Sequence, residues 1–392
     1  MAGYTPTAWV NNSTPAISAA NLGKIETGIQ QAHMYPGVML DSFTGANDSA
    51  KLAAAMSYAA AQTYKPAIMF SNRLYSMTTQ QAVFGGMRLV GGYGAVEQVR
   101  SGTPIPNQVN VTIGGGNGWL VWPTGTSTFG CYISGLAFQG NSTTRFVHPD
   151  TSAVIWTSVF ENLSFNYFQS VFGSTATNCA LDACAFKGWW NVNNGYDQQF
   201  HMGGSDNTFW MDGGCLLDSP PGTITGGTTG ANTLCFFAAM SKSTVGPMYI
   251  TGERVRPLKI DYSNAGQLVF TGTRLEGMPA VPASQAYGAI VRINNGGVTL
   301  RDCWTSYGMT SPSTPGYGDG GMIHIAGGNV LIDSCWYQKG NGVADSVPYI
   351  YVTGGTVRVR NIMKMGTWSG SNLPIVTNAG GTVDADNSVT VN

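Results

Sequence analysis

At 392 residues the chain is long enough for one large repeat structure or two ordinary domains. Only 10% of it is charged, against roughly 25% in an average globular protein. Its formal net charge is −1, so no basic patch is expected to neutralise phosphates and no nucleic-acid partner is expected; with no run of 18 apolar residues, membrane insertion is not expected either. Glycine supplies 53 residues, nearly twice the usual ~7%, which describes many short strands and turns and not a helical enzyme.

The opening MAGYTPTAWVNN has neither a basic segment nor an apolar core, so no signal peptide is expected. In ISAANLGKIETGIQQAH, residues Ile17, Leu22, Ile25 and Ile29 fall near one helical face, with Ser18 or Asn21 as N-cap. A helix this short is marginal alone, which predicts packing against something else, copies of itself included. NDSAKLAAAMSYAAAQ predicts a second helix, capped by Asp48 or Ser49, with Leu52, Met56 and Ala59 on one stripe. Pro66 ends this unit, and Ala67 to Phe70 read as a buried strand.

After Phe70 no helical periodicity survives. Three late stretches read almost alike: GGVTLRDCW from Gly296, GGNVLIDSCW from Gly327 and GGTVRVRNIM from Gly354. Earlier runs align with them on a small turn before an apolar residue. These are CYISGLAFQG from Cys131, SVFENLSFNY from Ser158, CALDACAFKG from Cys179, FWMDGGCLLD from Phe209, MYITGERVRP from Met248 and LVFTGTRLEG from Leu268. In seven copies the residue after the turn is Leu136, Leu163, Cys184, Cys215, Cys303, Cys335 or Ile362.

Irregular periods of about 20 to 40 residues built from short strands mean stacked coils, here an all-β solenoid of the single-stranded parallel β-helix type. Each coil buries its neighbour. The recurring cysteine fills one interior layer, and Asp182, Asp302, Asp333 and Asn361 sit beside it at a bend, bonding their own backbone. A β-sandwich would need hairpin turns every 8 to 12 residues or so, and the copies are too long and too alike. The seven cysteines, odd in number and lacking a CxxC pair, read as buried thiols.

The acid-rich part is YDQQFHMGGSDNTFWMDGGCLLD, Tyr196 to Asp218. Trp189, Trp190, Asp197 and Trp210 are the candidate glycan-binding residues, because indole faces stack on sugars and carboxylates bond their hydroxyls. If the chain cleaves a glycosidic bond, Asp206 and Asp212 are the candidate acids, with His201 assisting, since that chemistry needs two carboxylates flanking the bond. Asp beside Gly or Asn is also ordinary turn chemistry, and a strand turns one of two adjacent Trp inward. Glu161 and Glu276 lie on repeat positions and read as contacts within the stack or between copies, with Arg254 and Arg274 as partners. The histidines His33, His148, His201 and His324 share no metal-ligand spacing with the cysteines. VTIGGGNGW lacks the following helix and Lys-Ser/Thr of a phosphate loop, so no metal and no cofactor is expected.

Two stretches carry a resemblance. YTPTAWVNNSTPAISAANLGKIETGIQQAH, Tyr4 to His33, is similar to the N-terminal segment of many bacteriophage tail fibre and tail spike proteins. Leu40 to Met77 resembles the leading unit of the pectate-lyase-like right-handed β-helix superfamily, where Asp-x-x-Gly-Ala-x-Asp-Ser opens a capping helix and a first strand. Asp41, Gly45, Ala46, Asp48 and Ser49 follow that pattern with one extra residue after Asp41, while the usual Pro-x-Gly-x-Tyr is reduced to SNRLY, Ser71 to Tyr75. The rest matches in architecture only, and this fold hosts structural, binding and enzymatic proteins alike. The resemblance implies right-handed coils and a homotrimer. Residues 1–36 would fix it to other virion tail proteins, 37–80 would form the first unit and capping helix, and 81–392 the β-helix with loop insertions. It further implies location in the virion tail and attachment to a host surface, host glycan included. The alternative it implies is a tail spike that cleaves host polysaccharide as a glycoside hydrolase or lyase; the scarcity of acids favours the non-enzymatic reading.

Overall fold

The computed structural model describes residues 37–91, 108–113, 118–122, 128–141, 143–149, 154–166, 168, 170–172, 180–182, 184–192, 208–212, 215–217, 235–237, 242–245, 248–250, 258–261, 267–276, 291–307, 323–339, 348–365 and 373–392. The helix expected from Ile17 and the Tyr4–His33 segment lie outside these residues. Among the described residues the chain is all-β apart from a single α-helix, α1 (Asp48–Ala61), and one 3-10 turn (Leu40–Ser42).

The described strands pair in parallel, and the pairing has a simple order. A first series runs from Val38–Met39 through Ile68–Phe70, Arg88–Gly91 and Tyr132–Ser134 down to Thr382–Ala385. A second runs from Tyr75–Met77 through Gln108–Val111 and Ala137–Gln139 to Met363–Met365. The long strands Val159–Asn166 and Cys184–Val192 belong to both, which joins the two series into one 22-stranded sheet. Further sheets of four, three and seven strands carry the remaining segments. Parallel strands cannot be joined by tight hairpins, so each step along a series requires the chain to travel away and return. That is the stacking the repeated decapeptide predicts.

Where the two series meet, the chain bends once per level. At six levels the bend residue is left-handed: Gly135 (φ 64°), Asn162 (51°), Gly272 (62°), Asp302 (53°), Ser334 (55°) and Asn361 (53°). Glycine, Asn and Asp accept such φ values most readily, which is why small polar residues recur there. The ladder continues through the bend: the amides of Gly135, Gly272, Asp302 and Ser334 donate to the carbonyls of Glu161, Arg301, Asp333 and Arg360 at 3.0–3.1 Å. The residue after each bend points inward. Leu136, Leu163, Thr273, Cys303, Cys335 and Ile362 are all buried, and the backbone register puts Cys215 in the same layer.

Two expected alignments are corrected by the register. Cys184 does not share the layer of Leu163, because Leu163 pairs with Trp189. Cys184 starts its strand beside Ser158, and Ser158 lies beside Cys131, as the bonds from Ala185 N to Ser158 O (2.9 Å) and Val159 N to Cys131 O (2.8 Å) require. The true copy is therefore CAFKGW from Cys184. The levels of Cys131 and Ser158 carry a second left-handed bend, at Gly130 (φ 68°) and Thr157 (45°), and its likeness to the first allows a five-residue slip. Asp182 falls on the strand Ala180–Asp182, in the three-stranded sheet. Asp333 ends its strand opposite Arg301, and Ser334 takes the bend.

One interior column runs the length of the first series, from Val38 through Ile68, Leu89 and Ile133 to Phe160 and Phe186, whose rings stack at 5.2 Å. It then narrows through Phe270, Leu300, Ile332 and Val359 to Ala385. Around Trp119, Phe138, Phe146, Phe165 and Phe168 the interior is almost wholly aromatic, with ring centroids 4.6–6.1 Å apart. Close approach also enforces one glycine. A Cβ on Gly91 would lie 1.9 Å from the Gly135 carbonyl oxygen.

Helix α1 covers the top of the stack. Leu52, Ala55, Met56 and Ala59 are buried along the expected stripe. The cap differs from expectation: Asn47, not Asp48 or Ser49, is the N-cap, accepting from the Ala50 amide at 2.8 Å. Asp48 and Ser49 are released to bind the strands below. Asp48 accepts from Arg73 and from the Ser76 amide, and the Ser49 hydroxyl accepts from the Thr78 amide at 2.7 Å. Arg73 also reaches Asp41, which accepts from the Tyr75 hydroxyl at 3.0 Å. The residues of the leading motif thus form one staple holding helix to strand.

Candidate functional site

Of the residues expected to handle glycan, Asp197, His201 and Asp206 lie outside the described residues. The others are placed by their backbone. Trp210 and Asp212 lie two residues apart on the strand Thr208–Asp212, in register with Ala185 and Lys187. Trp189 and Trp190 follow the bend on Cys184–Val192 and belong to the second series, opposite Leu163 and Ser164. The expected set is therefore divided between the two series, with the bend between them.

The described surface with the most chemistry lies lower in the stack, on the outer face of the second series. In the strand Trp336–Lys339, Cys335 and Tyr337 are buried, so strand alternation turns Trp336 outward, where it is 41% exposed. Trp304 occupies the same place one level up and Met363 one level down, the latter 38% exposed. Register continues the column upward through Arg274, Tyr249 and Leu216 to Trp190. The sequence contained the signal: both late repeats read Cys-Trp, and the residue after an inward cysteine must face out.

Beside this column runs a strip of charge, already paired within itself. Asp384 receives Arg360 at 2.7 Å and Arg358 at 3.1 Å. Asn361 donates from its side chain to Asp333 at 3.2 Å and from its backbone to Asp386 at 2.8 Å. The Arg360 guanidinium, then that of Arg358, holds the Asp384 carboxyl below the usual range; the Ser388 hydroxyl and the Asn361 amide do the same for Asp386. Asp41 is held well below it, chiefly by Arg73, and Asp48 is lowered too, its hydrogen bonds to Arg73 and the Ser76 amide outweighing a burial that pushes the other way. Each of these carboxylates is stabilised in its charged form. Glycosidic cleavage needs one carboxyl held protonated, and none of these four is such a group.

Two of the buried thiols, Cys131 and Cys335, are equally unsuited to nucleophilic work. Burial pushes Cys131 up to about 12. The Cys303 thiol beside it, together with burial, pushes Cys335 up further. Nucleophilic cysteines are thiolates, so these act as small interior groups. Glu161 accepts from the Tyr132 hydroxyl at 2.9 Å, a contact within the stack. Arg254 lies outside the described residues.

The fold is therefore an all-β stack of parallel strands with one covering helix. No family model matches the chain, and no curated protein matches it. Among solved structures, the tailspike protein of Acinetobacter phage vB_ApiP_P1 overlaps it with a TM-score of 0.44 and 11% sequence identity. The overlap takes in 90% of this chain and 60% of that one, so the chain spans about three fifths of the length of that tailspike.

Proposed function

We propose that the chain is a structural subunit of a virion tail fibre or tail spike. It forms a homotrimer of right-handed single β-helices, bound to other tail proteins through residues 1–36 and turned toward a host surface. The observation that carries this reading is the unbroken parallel register from Val38 to Ala385. Twelve consecutive pairings at about 4.8 Å each make a stiff rod of ~58 Å. Right-handed coils follow from the strong chirality of parallel crossovers, and the Tyr4–His33 and Leu40–Met77 resemblances support the virion assignment. Sedimentation equilibrium of the full chain should give three times its 41.3 kDa mass. A single-chain mass would end the proposal. Antibody to the chain should also label the tails of particles carrying it.

A second reading, cleavage of host surface polysaccharide, is favoured by one observation: Trp210 and Asp212 lie two residues apart on one strand in the middle of the stack. Incubation with host glycan, followed by assay of reducing ends or unsaturated sugar, separates the two. Product that disappears in Asp206→Asn or Asp212→Asn supports cleavage. Binding without turnover supports the structural reading.

A further inference from the structure

We infer that Asn295 and Gly296 form a self-modification site, at which the folded chain converts its own asparagine to isoaspartate or aspartate with water as the sole co-reactant.

The pair sits at a corner that the lower coils share. There the seven-stranded sheet hands over to the first series, and the strands on both sides are in register. Three residues make the turn at each level, and the last of them is left-handed at Gly296 (φ 89°), Gly328 (83°) and Gly355 (77°). The residue before it is glycine at the three lower levels, Gly327, Gly354 and Gly380, and asparagine at the highest, Asn295. The corners nest tightly. The amides of Asn329, Thr356 and Thr382 donate to the carbonyls of Gly296, Gly328 and Gly355 at 2.7–2.8 Å. A Cβ on Gly327 would lie 2.2 Å from the Asn294 carbonyl oxygen, and one on Gly328 would lie 2.3 Å from that of Gly296.

Asn295 is exposed, and the Gly296 amide donates to its Oδ1 at 2.8 Å. The main-chain nitrogen is thus held against the side-chain carbonyl, and glycine places no Cβ in the way. Rotation about the Cβ–Cγ bond of Asn295 turns the carbonyl carbon toward that nitrogen. The nitrogen gives its proton to hydroxide and bonds to Cγ, while the side-chain amide leaves as ammonia. The ring so formed is a succinimide. Water opens it at Cγ to give aspartate, or at the main-chain carbonyl to give isoaspartate, and no electrons are exchanged with any oxidant. The sequence carries Asn-Gly at Asn117, Asn194, Asn295 and Asn341; Asn295 is the one that lies with its glycine among the described residues.

The fold gives the product a consequence. Isoaspartate lengthens the main chain by one carbon and adds a carboxylate, directly above glycines that leave no room for a methyl group. The reaction therefore loosens the stack at this corner, and the protein carries its own slow clock.

The test holds the full chain in mildly alkaline buffer, cuts it after Arg292 and Arg301, and sequences the fragment Ile293–Arg301 by electron-transfer mass spectrometry. The free peptide of the same sequence is treated alongside. The expected result is loss of Asn295 to isoaspartate and aspartate, at a rate no lower than in the peptide and faster as the buffer is made more alkaline, with Asn294 intact. Asn295 that survives in the folded chain while the peptide reacts, or that reacts more slowly than the peptide, overturns the inference. A second variant, Asn295→Gly, supplies the residue that the three lower levels use. Incubation should lower the melting temperature of the unaltered protein more than that of this variant. Equal falls in both would overturn the loosening at this corner.

Discussion

Cys303 and Cys335 stand one above the other on consecutive levels. The Trp336 amide donates to the Cys303 carbonyl at 2.8 Å, and neither side chain is exposed. The layer is completed by Thr273 above and Ile362 below, so it accepts small or apolar groups and has no partner for a carboxylate. Cys335→Asp should cost ~4 kcal/mol, the scale of an uncompensated buried charge. Cys335→Val should stay within about 1.5 kcal/mol, as volume-conserving swaps do. Denaturant midpoints compare them, and equal midpoints would refute the layer.

The staple at the top of the stack predicts a dependence on acid. Asp41 has a folded-state pKa below its unfolded value of about 3.9, so its contribution is complete above that pH and falls as pH drops below about 4. Arg73 and Asp41 are each about a third exposed, which screens the pair. Asp41→Asn should therefore cost ~1 kcal/mol at pH 7, with a smaller difference from the unaltered protein at pH 2. Thermal melts at the two pH values measure this; a penalty that grows in acid would contradict it.

Thr157 is β-branched yet held at φ 45°, with its side chain exposed. Such a residue pays for a left-handed backbone that glycine adopts freely. Thr157→Gly should raise stability by ~1 kcal/mol, the left-handed penalty less the added unfolded-state entropy. A lower melting temperature would show that the bend is not strained.

Gly91 meets the opposite limit. Its missing Cβ leaves room for the Gly135 carbonyl of the neighbouring level. Gly91→Ala should destabilise by ~3 kcal/mol, because the obstacle is backbone and cannot rotate away. A neutral result in a chemical melt would mean that the two levels separate easily.

The fold was legible in the sequence because a stack repeats its needs. The late decapeptides named the bend, the inward cysteine and the parallel register, and α1 showed its stripe of Leu52, Met56 and Ala59. Errors arose where two features look alike. Neighbouring levels have two left-handed bends, at Gly130 and Gly135 and at Thr157 and Asn162, so the repeat pattern alone aligns Cys184 with the wrong one, and Asp333 next to Ser334 offers two polar residues for one corner. Asn47, Asp48 and Ser49 are all good capping types, so the sequence alone does not single out Asn47; the strands below decide which of them are needed elsewhere. The candidate site was less legible. Aromatic and acidic residues mark the Trp189–Asp218 region by composition, whereas the Trp304–Trp336–Met363 column emerges only once coils are superimposed.

The interior column shrinks from Phe270 through Leu300, Ile332 and Val359 to Ala385. The last coil therefore offers a methyl group where the one four coils above offers a phenyl ring. Successive levels are therefore not interchangeable: each coil is shaped for the neighbour it rests on, and the side chain that fills one floor would clash or leave a void on another.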